Sequence, residues 1–385
     1  MASSTTNRVL ISSLKESTFG VTPAGNLQKM RMTGETLKGD TNTVDSAEVR
    51  DDRMLSDVLR TLQNASGEVN FELSYGTYDE WFESALMSAG FTSTAAIEDG
   101  ATTVTFAANT LTTSATWDVT PSAGDWIEVR GATDHPAANG YYKVTAGTST
   151  VITVAQTITD TGAESGTVTV QRGGAIVNGT TESSYSIERK YGDLSNIFAT
   201  FLGMEIDTFN LSITTEGVIS GSFGFMGKIA ASDTATIGDG YDEANSNQIF
   251  NATDNVQSIQ EAYAALGSTA FSLSLSNNLR GLTNIGSNGY DEINDGQIEL
   301  SGTLQTYFSA NAEVDKYLNF TESSISVIME DSSGNAYIIE IPSVLYTSAS
   351  RNAGGNNADV IADLAWKAKR NATDDAMIRI VKFAG

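Results

Sequence analysis

His135 is the one histidine among 385 residues, and there is no cysteine. The chain can therefore build neither a thiolate zinc site nor a cysteine nucleophile, and a Ser-His-Asp relay would have to centre on this residue. It stands in Asp134-His135-Pro136, turn-forming text in which an exposed loop histidine is the simpler reading. Gly34 and Gly39 have the spacing of a phosphate-binding loop, but Asp40 follows, and a carboxylate there repels phosphate. Gly240-Tyr241-Asp242-Glu243 and Gly289-Tyr290-Asp291-Glu292 place paired carboxylates in turns. Such pairs can bind calcium or hydrolyse glycosides, yet neither follows the alternating ligand spacing of a calcium loop, and nothing marks a cleft. Trp117, Trp126, Tyr141 and Tyr142 could stack on sugars or could fill a core. These residues predict no catalytic centre, no metal site and no cofactor, so the chain is not read as an enzyme. A carbohydrate-binding adhesin stays open as the alternative function.

Composition narrows the field further. Lys and Arg number 22 against 47 Asp and Glu, a formal charge of -25. Phosphate-backbone binding needs clustered cations, so specific nucleic-acid binding is not expected. No run of about 18 apolar residues offers a membrane span, and the first 20 residues lack the basic head and apolar core of a signal peptide. Synthesis in the cytoplasm without membrane insertion is the expectation.

The elements that must position any site read mainly as β. In Val69-Asn70-Phe71-Glu72-Leu73-Ser74-Tyr75 apolar and polar side chains alternate, as on a half-buried strand. The same alternation marks 185–188, 209–213, 271–275, 298–300, 338–341, 360–369 and 377–383. One helix is predicted after Thr77, a candidate N-cap with Glu80 three residues on, carrying Trp81, Phe82, Ala85 and Leu86 on one face. A shorter one is predicted over 311–318.

Residues 93–173 differ in texture, being dense in Thr, Ala and Gly with closely spaced turns. They predict a small inserted β-barrel or sandwich. Around them the chain repeats itself. Thr181-Glu182-Ser183-Ser184-Tyr185-Ser186-Ile187 recurs as Thr321-Glu322-Ser323-Ser324-Ile325-Ser326-Val327, and Val218-Ile219-Ser220-Gly221-Ser222-Phe223 parallels Val360-Ile361-Ala362-Asp363-Leu364-Ala365. Ser66-Gly67-Glu68-Val69 before the first helix parallels Ser301-Gly302-Thr303-Leu304 before the second. The offset falls from 235 to about 140 across the odd-textured segment. The expected organisation is a first domain of 1–91 with 174–235, an insert of 93–173, and a second copy of the first domain over 236–385.

With these residues in view, the chain resembles the tail tube, or major tail, proteins of long-tailed siphophages. The resemblance is carried by Ser17-Thr18-Phe19-Gly20-Val21-Thr22-Pro23, Met32-Thr33-Gly34-Glu35-Thr36-Leu37, Ser46-Ala47-Glu48-Val49-Arg50-Asp51-Asp52-Arg53, Ile187-Glu188-Arg189-Lys190 and Gly334-Asn335-Ala336-Tyr337. It implies a structural subunit of the virion tail: a β-sandwich with a flanking helix whose sheets join into a ring around a channel that conducts DNA during ejection. Implied partners are further copies of the chain, other tail proteins at the tube ends, and DNA passing without specific binding. Under this resemblance the segment 39–66, with Asp45, Glu48, Arg50, Asp51, Arg53, Met54 and Leu55, reads as a ring-to-ring contact loop. Its counterpart is 280–297, with Arg280, Asp291 and Glu292. A duplicated chain predicts a trimeric ring with pseudo-sixfold symmetry, a hexamer being the alternative, with an acidic lumen and an outward-facing, dispensable insert.

Overall fold

The computed structural model describes residues 3–99 and 103–385, and its regular structure is mainly β. The N-terminal half contributes β1 (Val9–Lys15), β2 (Asn26–Lys29), β3 (Lys38–Asp45), β4 (Val58–Glu72), helix α1 (Asp79–Ala85) and, beyond the insert, β5 (Gly174–Val177), β6 (Tyr185–Tyr191), β7 (Phe198–Thr214), β8 (Ser220–Gly227) and β9 (Ile229–Asp233). The C-terminal half contributes β10 (Val256–Glu261), β11 (Ser268–Ser276), β12 (Arg280–Leu282), β13 (Glu292–Asn294), β14 (Glu299–Tyr307), helix α2 (Ala312–Leu318), β15 (Ser323–Glu330), β16 (Ala336–Asn352), β17 (Ile361–Ala368) and β18 (Arg379–Phe383).

An antiparallel sheet runs through both halves in the order β3-β4-β8-β7-β11-β14-β17-β16. Its middle seam is the pairing of β7 with β11, Thr208–Thr214 against Ala270–Ser276. Alternation gives it two unlike faces. Phe71, Phe223, Phe209, Leu211, Leu273, Leu304, Leu364 and Trp366 point into the core. The opposite face carries Asn70, Ser222, Asn210, Ser212, Ser272, Ser274, Ser301 and Thr303. The core is closed on its other side by two smaller outer sheets, β2-β1-β6-β7-β9 and β10-β15-β16-β18-β5.

The strands β7 and β16, each 17 residues long, serve both layers. Bulges let them turn the corner, since an extra residue bends and twists the strand locally. The register of β7 against β8 shifts between Ile206 and Thr208, and that of β16 against β17 between Tyr346 and Ser348. A second bulge interrupts β6 at Tyr185/Ile187 and β15 at Ser323/Ile325. The same ladder of pairings, with these two bulges in matching places, therefore occurs in each half. It sets Ile187 against Ile325, two residues away from the match read in the text, a shift that keeps every side chain on its face.

Local differences from the sequence reading have physical causes. Helix α1 starts at Asp79 with Tyr78 as N-cap, because the Thr77 hydroxyl is engaged with Asn245 Oδ1 at 2.9 Å and with Ser74. The insert forms an eight-stranded antiparallel sheet with its own core, including Phe106, Leu111, Ile127, Val144 and Ile152. Among the described residues its strand order has two free ends, so their pairing does not close it into a barrel. Chain order and pairing also part company: β5 follows the insert yet pairs with β18, and Gly240–Asp242 pairs in parallel with β2 of the N-terminal half.

Candidate assembly interfaces

The halves meet at a seam built around the end of α1. Its amphipathic face sets Phe82 against Phe209, Phe223 and Tyr337, with ring centroids 5.4, 5.7 and 5.9 Å apart. Asp79 at its first turn accepts hydrogen bonds from Tyr337 and, at 2.8 Å, from Lys382 Nζ. The helix ends in a Schellman turn: Met87 N–H donates to Ser84 O and Ser88 N–H to Glu83 O, with Met87 left-handed at φ 49°. That conformation costs a non-glycine residue about 1 kcal/mol or more. The side chain offsets this cost by packing on Leu279 and Ile293, the base of the β12–β13 hairpin, and is only 6% exposed. Asn277 Nδ2 locks the joint with bonds to Ala85 O and Ile206 O at 3.0 and 2.9 Å. Burial beside the seam, reinforced by Glu182, Glu16, Asp295 and Glu292, pushes the Glu205 carboxyl up to about 8.

At the two ends of the long sheet the matching surfaces are uncovered. From Leu345 onward β16 has β17 on one side and, among the described residues, no strand on the other. Strand β3 likewise pairs only with β4. Helix α2 ends in the same Schellman turn, Phe320 N–H to Tyr317 O and Thr321 N–H to Lys316 O, with Phe320 at φ 52°. Here the left-handed residue is 69% exposed.

The residues picked out from the sequence fall on two hairpin ends. Asp45 closes the β3–β4 ladder against Val58. Beyond it Glu48 N–H reaches Ser46 Oγ, Arg50 pairs with Asp52 at 2.6 Å, Arg53 is left-handed, and Asp51, Met54 and Leu55 are exposed. Val49, in the same segment, is 97% exposed. In the other hairpin Arg280 donates to Asp295 O, Asp291 accepts from Asn284 N–H and Ser287 Oγ, and Glu292 sits opposite Leu282. The end loop of the second hairpin lies against β4 of the first, with Gln63 N–H on Asn288 O at 2.8 Å and Asn64 Nδ2 on Tyr290 Oη at 2.9 Å. Among the described residues the charged groups of the two sets form no ion pair with each other.

A family profile described as phage tail tube protein matches residues 6–368. The chain belongs to the phage tail tube protein family. Comparison with curated proteins finds no match. Membership makes it a structural subunit of a virion tail tube, and no helix among its described residues is long and apolar enough to cross a membrane.

In this tail tube protein the insert is fastened to the C-terminal half. Glu340 is fully buried and accepts from Trp126 Nε1, Lys143 Nζ, Arg379 Nη1 and Tyr263 Oη, all at 2.8 to 3.0 Å. Trp126 and Tyr141 pack with Ile328, Ile338, Val381 and Phe383 around it. An insert docked this way shares a buried polar and apolar junction with the C-terminal half, which bears directly on the dispensability expected from its sequence position. The aromatics considered for sugar stacking are buried, Trp126 and Tyr141 at this junction and Trp117 and Tyr142 in the insert's own core. His135 Nδ1 lies 2.8 Å from Asp160, a hydrogen bond that raises its pKa, while Nε2 abuts Gly162. The turn carboxylates are likewise engaged, Asp242 with Asn26 and Glu243 with Lys29.

Proposed function

We propose that three copies of this chain close into a ring, that each copy supplies two tube domains, and that stacked rings form the tube through which DNA leaves the virion of a siphophage. The observation that carries this reading is the seam between β7 and β11. One chain already joins two four-stranded sheets edge to edge, and the outer edges of the resulting sheet, β3 and β16, are open to pair with another copy. Repeating the join head to tail closes a cycle. Three copies give 24 strands, and with strands about 4.8 Å apart and tilted about 40° the backbone diameter is about 48 Å.

The polar face of the sheet would line the channel. Its charged side chains are Asp40, Glu68, Glu72, Glu299 and Asp363 against Lys38 and Lys367, set among serines, threonines and asparagines. Hydroxyls and net negative charge let a phosphate backbone slide without sticking. The hairpin ends carrying Asp45, Glu48, Arg50, Asp51, Arg53, Met54 and Leu55, and Arg280, Asp291 and Glu292, would meet the adjacent ring, since exposed apolar groups among paired charges suit a polar-rimmed contact. Other tail proteins would meet the same surfaces at the tube ends. The role is structural, without catalysis. Electron microscopy of the purified protein tests it: hollow tubes or rings are expected, whereas monomers at every concentration would contradict the proposal.

A further inference from the structure

We infer that Phe320 is the knob that joins one copy of the chain to the next, seated over Val58 at the base of the neighbour's β3–β4 hairpin. The inference rests on the ring reading above and adds the residues that make the contact.

Met87 and Phe320 occupy the same place in the same helix-ending turn, each two residues past its helix and each left-handed. Met87 is seated on Leu279 and Ile293. Those residues lie where the β11–β14 ladder, whose last described pair is Ser276 with Glu299, continues into the β12–β13 ladder, in which Gly281 faces Ile293. In the N-terminal half the ladder β3–β4 shifts register at the corresponding point, between Asn42 and Thr43, and then sets Asp45 opposite Val58. Val58 is thus the counterpart of Ile293. The two differ in cover: Ile293 under Met87 is 1% exposed, and Val58 is 52% exposed. Val44 and Leu59 beside it are uncovered as well.

Two half-sites of one joint are therefore present on a single chain, facing solvent. Phe320 holds a left-handed backbone conformation that is strained for a non-glycine residue, and at 69% exposure it has little packing within its own chain to offset that strain. The free edge of β16 and the free edge of β3 lie on the same two surfaces, as β7 and β11 lie beside Met87 and Ile293. A second copy supplies both the missing strand and the missing pocket, and burial of a phenylalanine there would make it an anchor of the interface.

The absence of native cysteine permits a direct test. Tubes of the full-length double variant F320C/V58C, oxidised or bridged by a short bis-maleimide, should run as covalent trimers on a non-reducing gel, and either single variant should not. F320D should keep the monomer's circular dichroism and lower the yield of sedimentable tubes about tenfold or more. Tubes that form without cross-linking overturn the inference, whatever F320D does, while leaving the ring reading intact. A wild-type chain that never assembles overturns both. Helical reconstruction of wild-type tubes gives the same answer without substitution: Phe320 over Val58 of the adjacent copy supports it, and Phe320 in solvent rules it out.

Discussion

The seam inside the chain and the two open ends of its sheet are built from the same parts and differ in what covers them. At the seam, β7 meets β11, α1 is pinned by Tyr337 and Lys382, and Met87 fills a pocket. At the ends, the β16 and β3 edges have no partner among the described residues, and Phe320 stands in solvent. The first contact is intramolecular and costs little translational entropy, so it stabilises the monomer; under the proposed ring the second waits for another copy. The difference is one joint closed within the chain and the matching parts left uncovered at the two ends of its sheet.

The halves differ also in that the insert covers only the C-terminal one. The largest expected effect follows from that: Glu340→Ala leaves Lys143 and Arg379 buried without their main acceptor, and should cost about 3–5 kcal/mol in a urea titration. Replacing 93–173 with a linker should give insoluble protein, because it exposes Ile338, Val381 and Phe383. Soluble, tube-forming protein would show that docking adds nothing.

At the seam itself Met87→Ala should destabilise the monomer by about 2–4 kcal/mol, as a buried methionine replaced by a smaller residue leaves a cavity. A change below about 0.5 kcal/mol would mean that the seam does not depend on its knob.

Glu205 gives the seam a pH dependence. Its folded-state pKa of about 8 exceeds the ordinary carboxyl value. The folded chain then holds a proton that the unfolded chain releases, so stability is full below the ordinary value and falls as pH rises toward 8. Glu205→Gln should therefore raise the melting temperature at pH 8.5, by the equivalent of about 2 kcal/mol, and leave it nearly unchanged at pH 4. An equal change at both pH values would contradict a protonated Glu205.

The smallest expected effect sharpens the comparison most. Phe320→Ala in the monomer should shift stability by less than about 0.5 kcal/mol, as at an exposed site, although it is the twin of Met87. A loss as large as that of Met87→Ala would show that Phe320 is packed within its own chain.

Much of the fold was legible because period-two alternation is a local signal: 209–213 and 271–275 fall within β7 and β11, and the helix carrying Trp81 and Phe82 formed as its stripe required. The full length of β7 and β16 was not, because their outer halves are buried on both faces and lose the alternation. The family resemblance could be read from text, whereas the segment 39–66, read as one long loop, is mostly the strands β3 and β4, with only 46–57 between them. The seam could not, since Met87 and Phe320 share a backbone conformation and not a residue type. Nor could the four donors on Glu340, which come from Trp126, Lys143, Tyr263 and Arg379, far apart in the chain.

The central claim is that one chain supplies two of the six domains in a ring, and counting chains per ring tests it most directly. Native mass spectrometry of isolated rings, or helical reconstruction of the tube, should find three copies and a 24-stranded inner barrel with the insert at three positions. Six chains per ring would contradict the account.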